Sequence, residues 1–288
     1  MGEWVIGIIG GSGLYAIDAL EQAQWLAIDT PWGKPSDDLL MGRIHGVRVV
    51  FLPRHGRGHP IPPSALNARA NIDALKRAGC TDILAISAIG SLREDIPPGH
   101  FVAVDQYIDR SLGRVPSFFG TGFAAHVSMA DPICPRLSAL AARAAEAAGA
   151  PVTRGGCYVA IEGPQFSTRA ESRMYRAWGG DVIGMTAVPE VKLAREAELP
   201  YALLGMVTDY DCWREGEEAD VEAIVARLHG NAATARRLVV EFARSLPKDR
   251  APSPIDTVLD QAVITAPAAR DPAMMTKLDA VCRRYFAR

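Results

Sequence analysis

The sequence of 288 residues has few cysteines, no excess of positive charge and no long apolar run. Its five cysteines are widely spaced and include no Cys-x-x-Cys pair, which argues against a disulfide framework or a zinc site. The 31 Lys and Arg residues are balanced by 33 Asp and Glu residues, whereas proteins that bind nucleic-acid backbones normally show a basic excess. We therefore expect no metal site and no nucleic-acid partner.

Apolar segments are short throughout the chain. None approaches the roughly 18 residues that a membrane-spanning helix needs, and the amino terminus lacks a basic segment followed by an apolar stretch. We therefore expect neither a membrane partner nor a signal peptide. Apolar residues make up 49% of the chain and charged residues 22%, the balance of a globular protein with a large core. These features predict a cytoplasmic protein.

Branched apolar runs that are typical of strands alternate with segments of helical composition. Several runs are apolar at consecutive positions, as expected for strands covered on both faces. The runs lie at residues 4–9, 49–52, 83–86, 101–104, 158–161, 182–185 and 202–207. Helices are predicted between them at 64–79, 135–149, 168–179, 189–198 and 219–246, and the third opens on a capping box formed by Thr168 and Glu171. The alternation predicts a single α/β domain in which helices surround a central mixed or parallel sheet.

The composition changes after Pro247, where several prolines and few aromatic residues occur. We interpret residues 1–247 as the main α/β domain and residues 248–288 as a carboxyl-terminal extension that ends in a helix at 273–286. The extension is expected to lie either over the main domain or over a neighbouring subunit, and both positions are compatible with the sequence.

Small hydroxyl, basic and acidic side chains follow five of the predicted strands. In open α/β sheets, ligands bind beyond the carboxyl ends of the strands, so these side chains are expected to meet. They belong to the glycine-rich segment 10–13, the pair Arg54 and His55, Ser87, Thr186, and the pair Asp209 and Asp211. Hydroxyls flanked by glycine, together with an arginine, suit a phosphate, whereas the aspartates suit hydrogen-bond donors at the other end of a substrate. The pattern predicts one site with an anion pole and a carboxylate pole.

Each motif also has another interpretation. The glycine-rich segment fits a tight turn, the basic pair a surface turn and the aspartate pair a helix cap. Gly11-x-Gly13-x-x-Ala16, with Asp29 downstream, fits a relaxed dinucleotide fingerprint and would indicate a nicotinamide-dependent oxidoreductase, but it leaves the basic and acidic pairs without a role. A non-enzymatic binding module is a further alternative. A dehydrogenase would change nicotinamide absorbance, whereas a binding module would turn nothing over.

Six segments resemble, in this order, the 5′-methylthioadenosine phosphorylase branch of the purine nucleoside phosphorylase superfamily: IIGGSGLY, PRHGRGH, SAIGSLRE, IEGPQFSTRAES, GMTAVPE and TDYDCW. The resemblance implies a homotrimer of α/β subunits, each a pentosyltransferase. The reaction implied is cleavage of 5′-methylthioadenosine by inorganic phosphate, a co-substrate, to adenine and 5-methylthioribose 1-phosphate, with no metal or organic cofactor. Methylthioinosine and a broader set of purine nucleosides, including 5′-deoxyadenosine, are alternative substrates.

The resemblance also implies roles for individual residues. Phosphate would be contacted by Ser12, Arg54, His55, Ser87 and Thr186, although the family more often has Thr at the first and fourth of these positions. The nucleoside would be contacted by Ala88, Phe166, Ser167, Met185, Asp209 and Asp211, and its methylthio group by Val221 and Ile224. His126 resembles a residue that a neighbouring subunit lends to the 5′ end.

These residue types suit phosphorolysis of an N-glycosidic bond. A phosphate held under the anomeric carbon supplies the nucleophile and the counter-charge for an oxocarbenium-like ribosyl cation. Asp209 is the candidate general acid near N7, because a carboxyl between a purine and apolar strand residues is expected to have a raised pKa. A carboxylate also accepts from the exocyclic amine of adenine, and apolar side chains at 221 and 224 would leave a 5′-hydroxyl unpaired. We therefore expect a preference for 6-aminopurine nucleosides that carry a 5′-methylthio group.

Overall fold

The structure, a computed structural model, describes residues 2–11, 14, 16–214 and 221–288, with the side chains at 221–225, 228 and 229 left aside. The strands are β1 (Val5–Gly10), β2 (Glu21–Leu26), β3 (Leu39–Ile44), β4 (Val47–Pro53), β5 (Asp82–Ser91), β6 (Phe101–Ala103), β7 (Gln106–Arg110), β8 (Val152–Arg154), β9 (Cys157–Ile161), β10 (Val182–Gly184) and β11 (Tyr201–Asp209). They form one mixed sheet in the order β2-β3-β4-β1-β5-β10-β9-β7. The sheet branches at β5, which also pairs in parallel with β11, and β11 leads on to β6 and β8.

Helices cover the sheet. They are α1 (Ala68–Arg77), α2 (Pro135–Ala147), α3 (Arg169–Ala177), α4 (Ala187–Glu196), α5 (Val221–Ser245), α6 (Pro272–Lys277) and α7 (Arg283–Phe286), with short 3-10 helices at Pro63–Ala65, Pro254–Asp260 and Pro267–Ala269. The predicted capping box opens α3: the Glu171 N–H donates to the Thr168 hydroxyl at 3.2 Å, and the Thr168 N–H donates to the Glu171 carboxylate at 2.7 Å. None of the described helices is long and apolar enough to cross a membrane.

Apolar side chains pack on both faces of the sheet. Along β1, Ile6 and Ile8 belong to one buried cluster, whereas Val5 and Ile9 belong to the cluster on the opposite face. Successive strand residues point to opposite faces, so a strand buried on both sides must be apolar throughout. The prediction of a single α/β domain with a mixed sheet surrounded by helices is confirmed.

Some elements differ from the predictions. The strands β2, β3, β7 and β8 were not predicted; all six residues of β2 are exposed, so no alternation of buried and exposed positions marks it. The predicted helix at 273–286 is wrong, because α6 and α7 are separate. Between them residues 278–282 form turns, and Leu278, Ala280, Val281 and Cys282 are all buried there.

The carboxyl-terminal extension packs against the main domain of its own chain. The Trp4 indole N–H donates to the Pro247 carbonyl at 2.8 Å, where the extension begins. Further along, Arg250 forms ion pairs with Asp82 in β5 and with Asp256. Side chains of the extension, including Leu259, complete the buried cluster on one face of the sheet. The extension therefore shares the core of the main domain.

Candidate functional site

A cavity of about 280 Å³ opens where β1, β4, β5, β10 and β11 end. Its size is close to the lower limit for small-molecule sites, about 300 Å³. Nine of the side chains predicted from the sequence line it: Arg54, His55, Ser87, Ala88, Phe166, Met185, Thr186, Asp209 and Asp211. The strand ends therefore bring both predicted poles to one cavity.

Two hydroxyls form the first part of the anion pole. Ser87 Oγ and Thr186 Oγ1 lie 2.8 Å apart, and both residues are buried. The Thr186 backbone N–H donates to the Tyr158 hydroxyl at 3.3 Å. A Cβ at position 184 would lie 2.2 Å from that hydroxyl oxygen, so Gly184 is required for the tyrosine to reach Thr186.

Arg54 forms the second part and is almost completely buried. Its Nη1 donates to the Ile86 carbonyl at 3.0 Å, and its Nε and Nη2 donate to the two carboxylate oxygens of Glu190 at 2.9 and 3.1 Å. Burial alone would lower the pKa of the guanidinium, but the Glu190 carboxylate more than offsets this and raises it. Of the five guanidinium N–H groups, the bonds described engage three and leave two for a ligand.

His55 lies beside Arg54 and is uncharged. Burial, and next the positive charge of Arg54, lower the pKa of its imidazole to about 4. Its Nδ1 lies 2.8 Å from the Ile61 carbonyl oxygen, which can only accept a hydrogen bond, so Nδ1 carries the proton. The ring stacks on His59, with centroids 4.2 Å apart. Nε2 of His55 is therefore a hydrogen-bond acceptor at neutral pH.

The carboxylate pole begins at Asp209, the last residue of β11. Its Oδ2 accepts from the Thr208 hydroxyl, and its Oδ1 accepts from the backbone N–H of Asp211, both at 2.7 Å. On the neighbouring strand, a Cβ at position 90 would lie 3.0 Å from Asp209 Oδ1, so Gly90 leaves the space that the carboxylate needs. Local bonds thus fix Asp209 in the cavity.

Asp211 completes this pole and is 4% exposed. Its Oδ2 has no hydrogen-bond partner among the described residues. Burial first, and then the charge of Asp209, raise the pKa of its carboxyl to about 6. No such pKa was predicted for Asp211 from the sequence, because its burial beside a like charge is a property of the folded chain.

Five further residues were predicted for the site: Ser12, His126, Ser167, Val221 and Ile224. Ser12 and the side chains of Val221 and Ile224 lie outside the described part of the chain. Ser167 does not line the cavity, and its buried hydroxyl has no hydrogen-bond partner among the described residues. His126 borders a separate depression with Ser128 and Gln261.

Three residues at or behind the anion pole have no role predicted from the sequence: His59, Glu190 and Tyr201. His59 lines the cavity, whereas the other two are buried behind Arg54. The signal for Glu190 is an acidic residue with apolar residues directly on both sides, Pro189 and Val191, because a charge buried among apolar side chains needs a partner. In the described ranges, no group of three or more His, Cys, Asp or Glu side chains is placed to hold a metal ion.

The geometry suits a ligand with an anion at one end and hydrogen-bond donors at the other, and comparison with known proteins gives a matching result. The family model described as the phosphorylase superfamily matches residues 5–244. The S-methyl-5′-thioadenosine phosphorylase of Cereibacter sphaeroides is 56% identical over 285 residues, which cover 98% of each chain. The enzyme of the same name from Bradyrhizobium diazoefficiens is 54% identical over 289 residues, which cover 99% of each chain.

Solved structures agree in fold. A methylthioadenosine phosphorylase from an Antarctic soil metagenomic library superposes with a TM-score of 0.93 at 44% identity, over 98% of this chain and 99% of that one. The methylthioadenosine phosphorylase of Schistosoma mansoni, solved in complex with adenine, superposes with a TM-score of 0.80 at 40% identity, over 84% of this chain and 91% of that one.

Proposed function

Because the chain belongs to the phosphorylase superfamily, and within it to the S-methyl-5′-thioadenosine phosphorylases, we propose that it cleaves the N-glycosidic bond of 5′-methylthioadenosine with inorganic phosphate. The products are adenine and 5-methylthioribose 1-phosphate. The observation that carries the proposal is that Arg54, Ser87 and Thr186 line the same cavity as Asp209 and Asp211. A phosphorylase needs both poles at once, one for phosphate and one for the leaving purine.

At the anion pole, the phosphate is held by hydrogen bonds. Arg54 offers two N–H groups, and the hydroxyls of Ser87 and Thr186 lie beside it. Nε2 of His55 accepts, so it takes the O–H of hydrogen phosphate and leaves the unprotonated oxygens for the donors. A phosphate oxygen then attacks C1′ from the face opposite the base. Its negative charge stabilises the positive charge that develops on the ribosyl ring.

The carboxylate pole contacts the purine, which is the leaving group of the reaction. The C1′–N9 bond breaks, its electron pair stays with the base, and a proton is added at N7. Burial and the neighbouring Asp209 charge raise the pKa of the Asp211 carboxyl to about 6, so this pole can hold a proton in mildly acidic solution. Asp209 is the group that donates to N7. General acid catalysis of this kind is typically worth about 10²–10⁴-fold in rate.

The proposal also covers the oligomeric state of the enzyme, its cellular location and its cofactors. His126 does not line the cavity of its own chain, which supports a homotrimer in which it reaches a neighbour's site at the 5′ end. The enzyme works in the cytoplasm without a metal or organic cofactor, in the salvage of methionine and purines. Val221 and Ile224 contact the methylthio group, and Phe166 and Ser167 lie at the purine.

Methylthioinosine is the second candidate substrate. The observation that favours it is the raised pKa of Asp211, because a protonated carboxyl can donate to the 6-oxo group of hypoxanthine. At pH 7 and above Asp211 is mostly ionised and accepts from the amine of adenine, so 5′-methylthioadenosine is the preferred substrate there.

The test is an assay of base release from 5′-methylthioadenosine, methylthioinosine, adenosine and inosine, with phosphate, with sulfate and without either anion. We expect phosphate-dependent release of adenine from 5′-methylthioadenosine, with the 5-methylthioribose 1-phosphate formed in equal amount. Sulfate is the matched control, because it has similar shape but no O–H for His55 and cannot form the sugar phosphate. Release that is independent of phosphate would indicate a hydrolase and overturn the proposal.

A further inference from the structure

A buried carboxylate lies behind the anion pole. Glu190, in α4, is 4% exposed and does not line the cavity. It accepts three hydrogen bonds: from Nε of Arg54 at 2.9 Å, from Nη2 of Arg54 at 3.1 Å and from the Tyr201 hydroxyl at 2.7 Å. Burial and the nearby Glu190 charge raise the pKa of Tyr201 well above its usual value, so this hydroxyl stays a donor at neutral pH.

These bonds fix the direction of the Arg54 guanidinium. Glu190 takes the edge formed by Nε and Nη2, and the Ile86 carbonyl takes one N–H of Nη1. A guanidinium is planar, so anchoring it on two sides leaves one orientation for its two remaining N–H groups. Arg54 is therefore held in its binding geometry before any anion arrives. Binding then loses less side-chain conformational entropy.

The same contact sets the charge of the pole. Of the described side chains that line the cavity, Arg54 is the one arginine or lysine, and the Glu190 carboxylate balances its charge. His55 adds no charge, because its Nδ1–H is donated to Ile61 and its Nε2 is unprotonated. Phosphate must then be bound by directed N–H and O–H groups rather than by an excess of positive charge.

We propose that Glu190, supported by Tyr201, is a positioning residue for phosphate: it orients Arg54 without touching the substrate. The inference depends on the proposed function, since it takes phosphate to be the anion. The effect of removing the Glu190 charge on phosphate binding distinguishes a positioning role from a purely electrostatic one, because the two roles predict opposite changes in affinity. If charge alone mattered, removal of the Glu190 charge would leave the pole positive and would tighten phosphate binding. If positioning matters, the same change weakens it.

The experiment measures phosphate binding by titration calorimetry and the KM values of both substrates for wild type, Glu190→Gln, Glu190→Asp and Tyr201→Phe. We expect Glu190→Gln to raise the KM for phosphate about 10- to 100-fold, the loss of one or two charge-assisted hydrogen bonds. Glu190→Asp keeps the charge but shortens the side chain, so it should weaken phosphate binding similarly. Tyr201→Phe removes one hydrogen bond to Glu190 but leaves both bonds between Glu190 and Arg54, so it should raise the KM for phosphate by less, about 2- to 10-fold. The KM for the nucleoside should change less than about 2-fold in each variant.

Glu196→Gln is the matched control. Glu196 is in the same helix and is also buried, but its carboxylate accepts from the Ser117 hydroxyl and the Phe118 N–H, each at 2.7 Å. The KM of the Glu196→Gln variant for phosphate should stay at the wild-type value. If Glu190→Gln does not fold, Glu190→Asp and Tyr201→Phe decide the question.

The outcomes separate the two proposals. If wild type binds no phosphate, the proposed function fails. If wild type binds phosphate and the Glu190 variants bind it equally or more tightly, or if nucleoside and phosphate KM values rise together, the positioning role is wrong. If Glu190→Asp binds phosphate with wild-type affinity while Glu190→Gln does not, a negative charge near Arg54 is sufficient, and the positioning role is also wrong.

Discussion

The backbone N–H of Asp211 donates to Oδ1 of Asp209 at a distance of 2.7 Å, so the two carboxyls at the end of β11 share one turn. The turn is possible because Asp211 adopts a left-handed conformation, with φ of 53°, which Asp tolerates better than most residues. Oδ1 of Asp209 is occupied by this bond and Oδ2 by the Thr208 hydroxyl. The spacing Asp-x-Asp therefore places two neighbouring carboxyls against one cavity, with Asp209 fixed by hydrogen bonds to both of its oxygens.

Asp209→Asn tests the general acid. The amide cannot carry the transferred proton, so we expect turnover of 5′-methylthioadenosine to fall by about 10²–10⁴-fold. The amide N–H₂ donates to a 6-oxo group, so the ratio of methylthioinosine to methylthioadenosine cleavage should rise. Steady-state kinetics with both nucleosides measure both effects. Wild-type turnover and preference in this variant would exclude Asp209 as the acid.

The stability of the protein should depend on pH through Asp211. Its pKa rises from 3.8 to about 6 on folding, so the folded state holds the proton more tightly than the unfolded state. The resulting stability is complete below pH 3.8 and is lost as the pH rises through about 6. Asp211→Asn has no such proton, so its stability relative to wild type should increase by about 2 kcal/mol from pH 4 to pH 8.

Urea unfolding of both proteins at the two pH values measures this difference. Asp95→Asn is the matched control, because the Asp95 side chain is 66% exposed and is paired with Arg93; its stability relative to wild type should hardly change with pH. An Asp211→Asn difference that is equal at pH 4 and pH 8 would contradict the buried, raised pKa.

Base preference should change with pH for the same reason. Above pH 6 the Asp211 carboxylate accepts from the adenine amine, and below pH 6 the protonated carboxyl donates to a 6-oxo group. We expect the ratio of kcat/KM for methylthioadenosine to that for methylthioinosine to rise by up to about tenfold between pH 5 and pH 8. The ratio cancels general effects of pH on the enzyme. A flat ratio in wild type, or an equal rise in Asp211→Asn, would count against Asp211 at the base.

Arg54 and Arg57 offer a matched pair for the anion pole, because both lie on the segment after β4. Arg54 is buried in the cavity, whereas the Arg57 side chain is 45% exposed and is bound to Asp37 at 2.8 Å. Arg54→Ala should raise the KM for phosphate far more than that for the nucleoside, by about 100-fold or more. Arg57→Ala should leave the KM for phosphate nearly unchanged. Equal rises in both KM values for Arg54→Ala would show a general loss of structure rather than a phosphate contact.

Which polar side chains share the cavity is predictable from the sequence where they follow directly after a strand. The ends of β4, β5, β10 and β11 lie at one edge of the sheet, so side chains such as Arg54, Ser87 and Asp209 meet once the strands are placed. The fold was predictable for the same reason: strands buried on both faces are apolar throughout, and α3 carries its capping box in the sequence.

Other parts depend on contacts that no local pattern encodes. Glu190 meets Arg54 from 136 positions away, and only the packed structure shows that the acid lies behind the arginine rather than in the cavity. The neutral state of His55 follows from the Ile61 carbonyl and from burial. The side on which the carboxyl-terminal extension packs is likewise a property of the folded chain.

Asp82 tests that packing. Its fully buried carboxylate, at the start of β5, accepts from Nη2 of Arg136 at 2.6 Å and also pairs with Arg250, which joins the extension to the sheet. Asp82→Asn removes the charge that both guanidiniums share; Arg250 keeps the carboxylate of Asp256, whereas Arg136 keeps only the neutral Ala251 carbonyl and the Trp4 ring. We expect the free energy of unfolding to fall by roughly 2–4 kcal/mol, because two largely buried guanidiniums lose their charge-assisted bonds to a buried carboxylate. In limited proteolysis, the extension at residues 248–288 should also be cleaved faster than in wild type.

The exposed pair of Asp95 and Arg93 is again the control. Asp95→Asn should lower the free energy of unfolding by less than about 1 kcal/mol and should produce no new cleavage. If the two variants lose equal stability and resist protease equally, Asp82 does not anchor the extension.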